Sequence, residues 1–370
     1  MFADQFRDKR VFVTGHTGFK GAWLCEWLLQ LGAEVTGFSD EAGVQRELFQ
    51  SLGLAPRMHH VLGDVRDLPA LETALRRAAP DFVFHLAAQS LVRRSYADPV
   101  GTVTTNIIGT TNLLDVLRRL EHGVACVVVT SDKCYENREV LHGYREDDAM
   151  GGHDLYSASK GAAEIITHAY RRSFFSAKGS NVRVASARAG NVIGGGDWAE
   201  DRILPDCARS LAAGKAIVVR NPLATRPWQH VLEPLSGYLW LAALLSGNVR
   251  LPRVDGAEDV ASGFNFGPLP DANRSVGELV EEVLRHWPGQ WLKEAPAGGL
   301  HEAGLLGLAI DKAFHCLQWQ PTWTFAQSVA ATVRWYRDVQ FGTRDVLAAT
   351  RGDIADYQQA ATLHGLRWTQ

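Results

Sequence analysis

Short apolar runs alternate with longer stretches of helical periodicity through the first half of the chain. Arg10 to Thr14, Glu34 to Phe38, His59 to Leu62, Phe82 to Leu86, Val127 to Val129 and Val182 to Arg188 read as strands. Between them the pattern predicts helices from Ala22 to about Leu31, over 68–78, from Val100 to Leu120 and over 156–175. In the third helix Val103, Ile107, Leu114 and Leu117 form one core-facing stripe, with Thr105 and Asn106 partly off it. The plain reading of Asn106 is a hydrogen bond between packed helices. Strands and helices alternating at this spacing predict an α/β fold on a doubly wound parallel sheet. Further on, Phe264 to Gly267 reads as a late strand, and Ser275 with Glu278 makes a capping-box pattern. Ala295–Leu300 reads as loop, Asp311–Leu317 as helix and 324–340 as an amphipathic helix.

Ligands on such sheets bind beyond the carboxyl ends of the strands, so the residues leaving each strand matter most. After the first strand come Gly15, His16, Thr17, Gly18, Phe19, Lys20 and Gly21, then a helix. Glycines so spaced at a strand-to-helix turn let the backbone approach a pyrophosphate at a helix N-terminus. The second strand ends in Ser39, Asp40 and Glu41, with no basic residue before Arg46. That favours NAD over NADP, with Asp40 on the ribose 2′-hydroxyl, although Asp40 serves equally well as a turn residue. Asp64 and Val65 follow the third strand, where Asp64 can accept from an adenine amino group. Leu86, Ala87, Ala88 and Gln89 follow the fourth, a small-residue turn that a flat ribose or nicotinamide can pass. The convergence of these groups on one edge predicts a Rossmann-type NAD-binding domain over 1–190, with 232–268 returning to it. Residues 191–231 and 269–370 would make a smaller C-terminal, substrate-binding α/β domain.

The fifth strand runs into Thr130, Ser131, Asp132, Lys133, Cys134 and Tyr135, and Tyr156 and Lys160 follow four residues apart on a helix. Tyrosine titrates near ~10, too high for a base at neutral pH. An ammonium one turn away stabilises the phenolate and lowers that value, so the pair can take a proton from an alcohol as the carbon is oxidised. A lone pair at this spacing is usually chance. Here it follows a glycine fingerprint and a polar strand end. Arg202 and Arg226 lie among turn and aromatic residues after the nucleotide fold, and arginine suits bidentate phosphate recognition.

Charge and cysteine content narrow the classes. A net charge of −3 over 370 residues gives no reason to expect nucleic acid or a membrane surface as partner. The polar start MFADQFRDKR is not a signal peptide, and no stretch is apolar enough to span a bilayer. Five scattered cysteines without paired spacing predict a reducing cytoplasm and no metal site. Of the eleven tryptophans, Trp287, Trp291, Trp319, Trp323 and Trp335 come late and read as core or subunit packing.

TGHTGFKG, LAAQSLVRRSY (86–96), TSDKCY (130–135) and YSASK (156–160) resemble the extended short-chain dehydrogenase/reductase (SDR) superfamily. ARAGNVIGGGDWAEDRILPD (187–206), RPWQHVLEPLSGYL (226–239) and HEAGLLGLAIDKAFHCLQWQPTW (301–323) are similar to its CDP-glucose 4,6-dehydratase branch. The resemblance implies CDP-D-glucose as substrate and a tightly held NAD. It also implies oxidation at sugar C4, loss of water across C5 and C6, and reduction at C6. The product would be a 4-keto-6-deoxy sugar nucleotide, a precursor of bacterial surface polysaccharide such as O-antigen. Tyr156 and Lys160 would be the oxidation pair, Ser131 the hydroxyl on the C4 oxygen, and Asp132 the acid for the C6 hydroxyl. Lys133 stands where related dehydratases carry a glutamate base. It would act as a neutral base at C5, or as a charge on the enolate with Asp132 or water moving the proton, or as a structural ion pair. Thr105 would lie on the cofactor side. Gln89, Asn191, Arg202, Leu204, Arg226, His230 and His301 would lie on the substrate side. Helices 100–120 and 156–175 would pair subunits into a homodimer or homotetramer. A C4 epimerase of the same superfamily is the nearest rival and needs no acid at Asp132. A silent NAD-sensing scaffold is the rival outside catalysis, and the presence of both Tyr156 and Lys160 argues against it.

Overall fold

The structure is a computed structural model that describes residues 1–40, 46–176, 180–199, 202–251, 259–294 and 305–370. Its centre is a seven-stranded sheet in which every pairing is parallel. In chain order the strands are β1 (Arg10–Thr14), β2 (Glu34–Ser39), β3 (His59–Leu62), β4 (Phe82–His85), β5 (Val124–Val129), β6 (Val182–Ala189) and β7 (Gly263–Phe266). Their spatial order is β7-β6-β5-β4-β1-β2-β3. The reversal beside β1 is the doubly wound arrangement that the alternating pattern predicts. Val124–Val129 is buried at every position, which explains why this strand is a continuous apolar run.

Helices cover both faces. On one face Val13, Phe84, Val127 and Ala185 pack with α1 (Phe19–Gln30) and with Leu235, Leu239 and Leu241 of a later helix. On the other, Phe12, Val83, Cys126 and Val184 pack with α2 (Leu68–Ala78) and α3 (Gly109–Leu117). Helix α4 (Leu155–Tyr170) carries Tyr156 and Lys160. The later helices are α5 (Ile203–Ala212), α6 (Leu232–Leu245), α7 (Val276–His286), α8 (Phe325–Gln340) and α9 (Val346–Leu363). Three short strand pairs join the segments around them, one of them bringing Thr225–Pro227 against Asn273–Ser275.

Several elements depart from the sequence reading. Helix α1 begins at Phe19 rather than Ala22, because Gly18 is its N-cap. The helix expected over 100–120 is broken into Pro99–Val103, a wide π turn at Thr104–Ile108, and α3. Asn106 in that turn accepts from Gln89 N at 2.8 Å and donates to Ser159 Oγ at 2.8 Å, so a helix side chain reaches both a strand end and α4. Helix α4 likewise ends in a π turn at Arg171–Phe175. Helix α6 is buried on all sides, so it has no polar stripe to give it helical periodicity. The capping box at Ser275 and Glu278 is present. Trp287, Trp319 and Trp335 are buried in the core, and Trp291 and Trp323 pack against it. No helix among the described residues is long and apolar enough to cross a membrane.

One buried carboxylate ties the C-terminal helices to the sheet layer. Glu233 on α6 accepts from Thr322 N at 2.9 Å, Trp323 N at 2.7 Å and the Tyr357 hydroxyl at 2.8 Å. Truncation to alanine strands the two backbone donors, while the Tyr357 hydroxyl keeps Ser236 Oγ at 3.1 Å, at about 1–3 kcal/mol for each buried group left unpaired. Glu233→Ala should therefore lower unfolding free energy by about 3 kcal/mol or more, measured by urea denaturation of the cofactor-free protein.

Candidate active site

Because every sheet strand points the same way, their carboxyl ends meet along one edge. Gly15 N donates to Phe38 O at 2.9 Å just beyond β1. Gly15 has φ +71°, and a Cβ there would lie 2.7 Å from Ala87 N in the turn after β4. A Cβ on Gly21 would lie 2.2 Å from Gly15 O. Both positions therefore need glycine for the loop to fold against its neighbours. Gly18 starts α1 with no side-chain cap, leaving the first turn open to an anion. Thr17 Oγ1 meets Ser39 Oγ at 2.8 Å, joining this loop to the end of β2.

The turn after β5 holds the polar cluster. Ser131, Asp132, Tyr156 and Lys160 are all buried, Asp132 to 2% exposure. Ser131 Oγ donates to Asp132 Oδ1 at 2.9 Å and shares a hydrogen bond with the Tyr156 side chain. Lys133 Nζ lies 3.7 Å from Asp132 Oδ1, an ion pair between adjacent residues. A Cβ on Gly190, beyond β6, would lie 2.8 Å from Asp132 Oδ2, so the strand-end glycine makes room for the carboxylate. Asp154 caps α4 by accepting from Ser157 N at 2.9 Å, which fixes the start of the helix bearing Tyr156.

Electrostatics here differ from the simple tyrosine–lysine picture. Burial pushes the Tyr156 phenol up to about 12, with the Ser131 hydrogen bond and Arg202 opposing and the Asp132 charge reinforcing. In the protein alone desolvation thus prevails, and the groups opposing it are Ser131 and Arg202 rather than the expected Lys160. Burial brings Lys160 itself down to about 8 against the pull of Glu164. Lys20 is also lowered to about 8, by burial and by the Arg202, Lys160 and Lys133 charges, against the pull of Asp132. The sequence assigned Lys20 only to the glycine loop, yet its charge is felt among the groups around Asp132. His85, missed in the sequence, links Thr14 Oγ1 at 2.8 Å to Thr110 Oγ1 at 3.0 Å, and burial lowers it to about 3.

Other expected residues are arranged differently. The His16 ring packs under β2 and β3, 2.7 Å from His60 Nδ1 and edge-on to Phe49, and burial lowers it to about 3. Arg46 donates to the Asp40 carbonyl, and Arg66 also feels Asp40. The corner after β2 therefore contains arginine, although none is adjacent in sequence. Glu41 lies outside the described residues. Asp64 is gripped by the Arg66 guanidinium, which holds its carboxyl below the usual range. Val65 is buried, and a Cβ on Gly109 would lie 2.6 Å from its side chain. Gln89 spends its amide on its own turn, donating to Leu91 O and Thr102 Oγ1 at 3.0 Å. Asn191 follows β6 and is half-buried, and Thr105 lies in the π turn. Arg202 pairs with Asp197 at 2.7 Å, and Arg226 donates to Thr225 O at 2.8 Å.

Two expected substrate contacts are core residues instead. Leu204 is 3% exposed and sits in the main hydrophobic cluster. His230 is fully buried between Trp23 and Trp323, and burial lowers it to about 3. Apolar surroundings, not a cleft, account for both. His301 lies outside the described residues.

The GDP-mannose 4,6 dehydratase family matches residues 12–243. A CDP-glucose 4,6-dehydratase of Salmonella typhimurium is 42% identical over 362 residues, covering 96% of this chain and 98% of its own. A UDP-glucose 4-epimerase of Mycolicibacterium smegmatis is 32% identical over 333 residues, covering 89% of this chain and 99% of its own. The crystal structure of dTDP-glucose 4,6-dehydratase from Bacillus anthracis in complex with NAD superposes with TM-score 0.72 at 21% identity, covering 89% of this chain and 96% of that one. At that identity the superposition speaks for the fold.

The lowered Lys160 value has a thermodynamic consequence. Between about 8 and its ordinary 10.5 the unfolded chain holds a proton on Lys160 that the folded chain has released. Stability therefore rises with pH across that window. In the cofactor-free protein, the wild type should gain stability relative to Lys160→Met from pH 8 to 10.5, by about 3 kcal/mol at full development. Paired urea titrations of the two proteins at each pH check this.

Proposed function

The chain belongs to the GDP-mannose 4,6-dehydratase family of the extended short-chain dehydrogenases/reductases, and from that membership we propose that it is an NAD-dependent hydro-lyase converting CDP-D-glucose to CDP-4-dehydro-6-deoxy-D-glucose. The observation that carries the dehydratase reading is Asp132, a buried carboxyl beside Tyr156 that an epimerase has no use for. The choice of CDP rests on the likeness to the Salmonella enzyme over nearly the whole of both chains.

The cradle suits a dinucleotide. The Gly15–Gly21 backbone and the uncapped start of α1 would take the pyrophosphate, including the main chain of His16, Phe19 and Lys20. Asp40 would take the ribose, Asp64 and Val65 the adenine side, and Leu86 to Gln89 with Thr105 the far half. Lys160, buried one turn after Tyr156, would meet the second ribose. NAD supplies a reversible two-electron acceptor for the sugar carbons. Asn191, Arg202 and Arg226 would hold the sugar nucleotide, with Arg202 released from or shared with Asp197. We assign 1–190 with 232–268 to the cofactor, and 191–231 with 269–370 to the sugar nucleotide. A cytoplasmic homodimer or homotetramer supplying surface-polysaccharide synthesis is the setting this reading implies.

The side chains then divide the proton transfers. Tyr156 takes the C4 hydroxyl proton while Ser131 hydrogen-bonds the same oxygen. The resulting ketone acidifies C5. Neutral Lys133 takes the C5 proton as protonated Asp132 gives one to the departing C6 hydroxyl. Ion pair and neutral pair hold the same number of protons across their 3.7 Å gap, so an elimination that gives Lys133 one proton and takes one from Asp132 starts from the neutral pair and ends in the ion pair. Reduction at C6 draws the Lys133 proton back to C5. Tyr156 then passes its proton to Asp132 through Ser131, which is hydrogen-bonded to both.

With NAD and a panel of CDP-, dTDP-, UDP- and GDP-glucose, the CDP sugar should give the strong alkaline absorbance of a 4-keto-6-deoxy product. Preference for another base overturns the CDP assignment, and C4 epimerisation without water loss overturns the dehydratase reading. In Lys133→Met, reduced-nicotinamide absorbance should appear with substrate while C5 fails to exchange with solvent deuterium. Fast exchange at C5 in that variant removes Lys133 as the base.

A further inference from the structure

Glu164 lies one helical turn beyond Lys160 on α4, is 3% exposed, and has no part in the chemistry above. Its two oxygens accept from three side chains distant in sequence. Thr130 Oγ1 donates at 2.5 Å, Ser186 Oγ at 2.7 Å and Arg188 Nη2 at 2.9 Å. Arg188 is itself buried, and its other nitrogen donates to the Tyr135 hydroxyl at 2.6 Å and to Glu146 O at 3.0 Å. Tyr135 in turn donates to Asn265 Oδ1 on β7 at 2.7 Å. Thr130 and Tyr135 bracket the turn that contains Ser131, Asp132 and Lys133. Both ends of that turn therefore lead to one carboxylate, directly through Thr130 and through Arg188 to Tyr135. The same helix carries Tyr156 and Lys160. Glu164 is thus the shared reference point between the two halves of the site.

We propose that Glu164 is a positioning residue for the oxidation step: by anchoring both ends of the Ser131–Lys133 turn to the helix of Tyr156 and Lys160, it sets the reach of that pair to the Ser131 hydroxyl. A merely structural ion pair would need only Arg188. The Thr130 bond adds a link to the active turn that charge balance does not require. The same carboxylate favours the charged form of Lys160. The other titratable groups facing Lys160 are Cys134 from the turn, His85 from β4 and Lys20 from α1. Those facing Glu164 are Arg188 from β6, Cys134, and His168 on its own helix.

This inference rests on the dehydratase reading for its kinetic arm only. Thr130→Val keeps shape and leaves every ion pair intact. It should slow single-turnover sugar oxidation by about ten-fold, with KM for the sugar nucleotide unchanged. Glu164→Gln combined with Arg188→Met removes both charges together and avoids a stranded buried ion. In that double variant, made cofactor-free and compared with its own Lys160→Met derivative, the Lys160-linked rise in stability should begin at lower pH than in the wild type. Wild-type oxidation rates in Thr130→Val overturn the positioning role. An unmoved pH onset in the double variant overturns the electrostatic support of Lys160. If no sugar nucleotide is turned over by the wild type, the functional reading and the positioning role for oxidation both fail, while the cofactor-free arm still decides whether Glu164 supports the charge on Lys160. If the double variant does not fold, Thr130→Val alone decides.

Discussion

A strand buried on both faces has nowhere to put a polar side chain until it leaves the sheet. Val124–Val129 is such a strand, in the middle of seven, and the first polar groups it releases are Thr130, Ser131 and Asp132. Parallel pairing makes every neighbour release its own polar residues at the same edge. The glycine loop, the turn after β4, the turn after β5 and Gly190 meet there for that reason. Removing the all-parallel topology would scatter these groups to opposite ends of the sheet.

Close packing at the strand edge leaves its charges little contact with water. Asp132, Tyr156 and Lys160 are each less than a tenth exposed, so desolvation is the first cause of the shifts at Tyr156 and Lys160. The protein alone holds the phenol protonated and weakens the hold on the lysine proton. A bound cationic ring would oppose the first of these effects, so this site suits chemistry that begins only when the cofactor is in place.

Much of the site was legible because its residues are local in sequence. Gly15 to Gly21, Ser131 to Lys133, and Tyr156 with Lys160 each lie within a few positions, on a strand end or one helix turn, where spacing determines direction. The six early strands were legible because short apolar runs between amphipathic helices admit few alternatives. Helix α6 escaped because a helix buried all round has no polar face to mark its period. The π turn at Thr104–Ile108 escaped because nothing in an apolar stripe records that Asn106 must reach both Gln89 and Ser159.

What sequence could not decide is whatever depends on residues far apart in the chain. His230 and Leu204 sit in plausible motifs, but packing against Trp23, Trp323 and the main core turns them inward. Arg46 donates to the Asp40 carbonyl, a contact that counting positions to the next basic residue does not reveal. Glu164 looked like any helix residue until Thr130, Ser186 and Arg188 were brought to it from two strands. The sequence by itself determined the strand–helix alternation, the glycine turn and the tyrosine–lysine pair, since backbone geometry and helical spacing act over a few residues. Only the tertiary structure decided which charges are buried together and which polar groups they satisfy, because burial and its desolvation cost belong to contacts between distant segments.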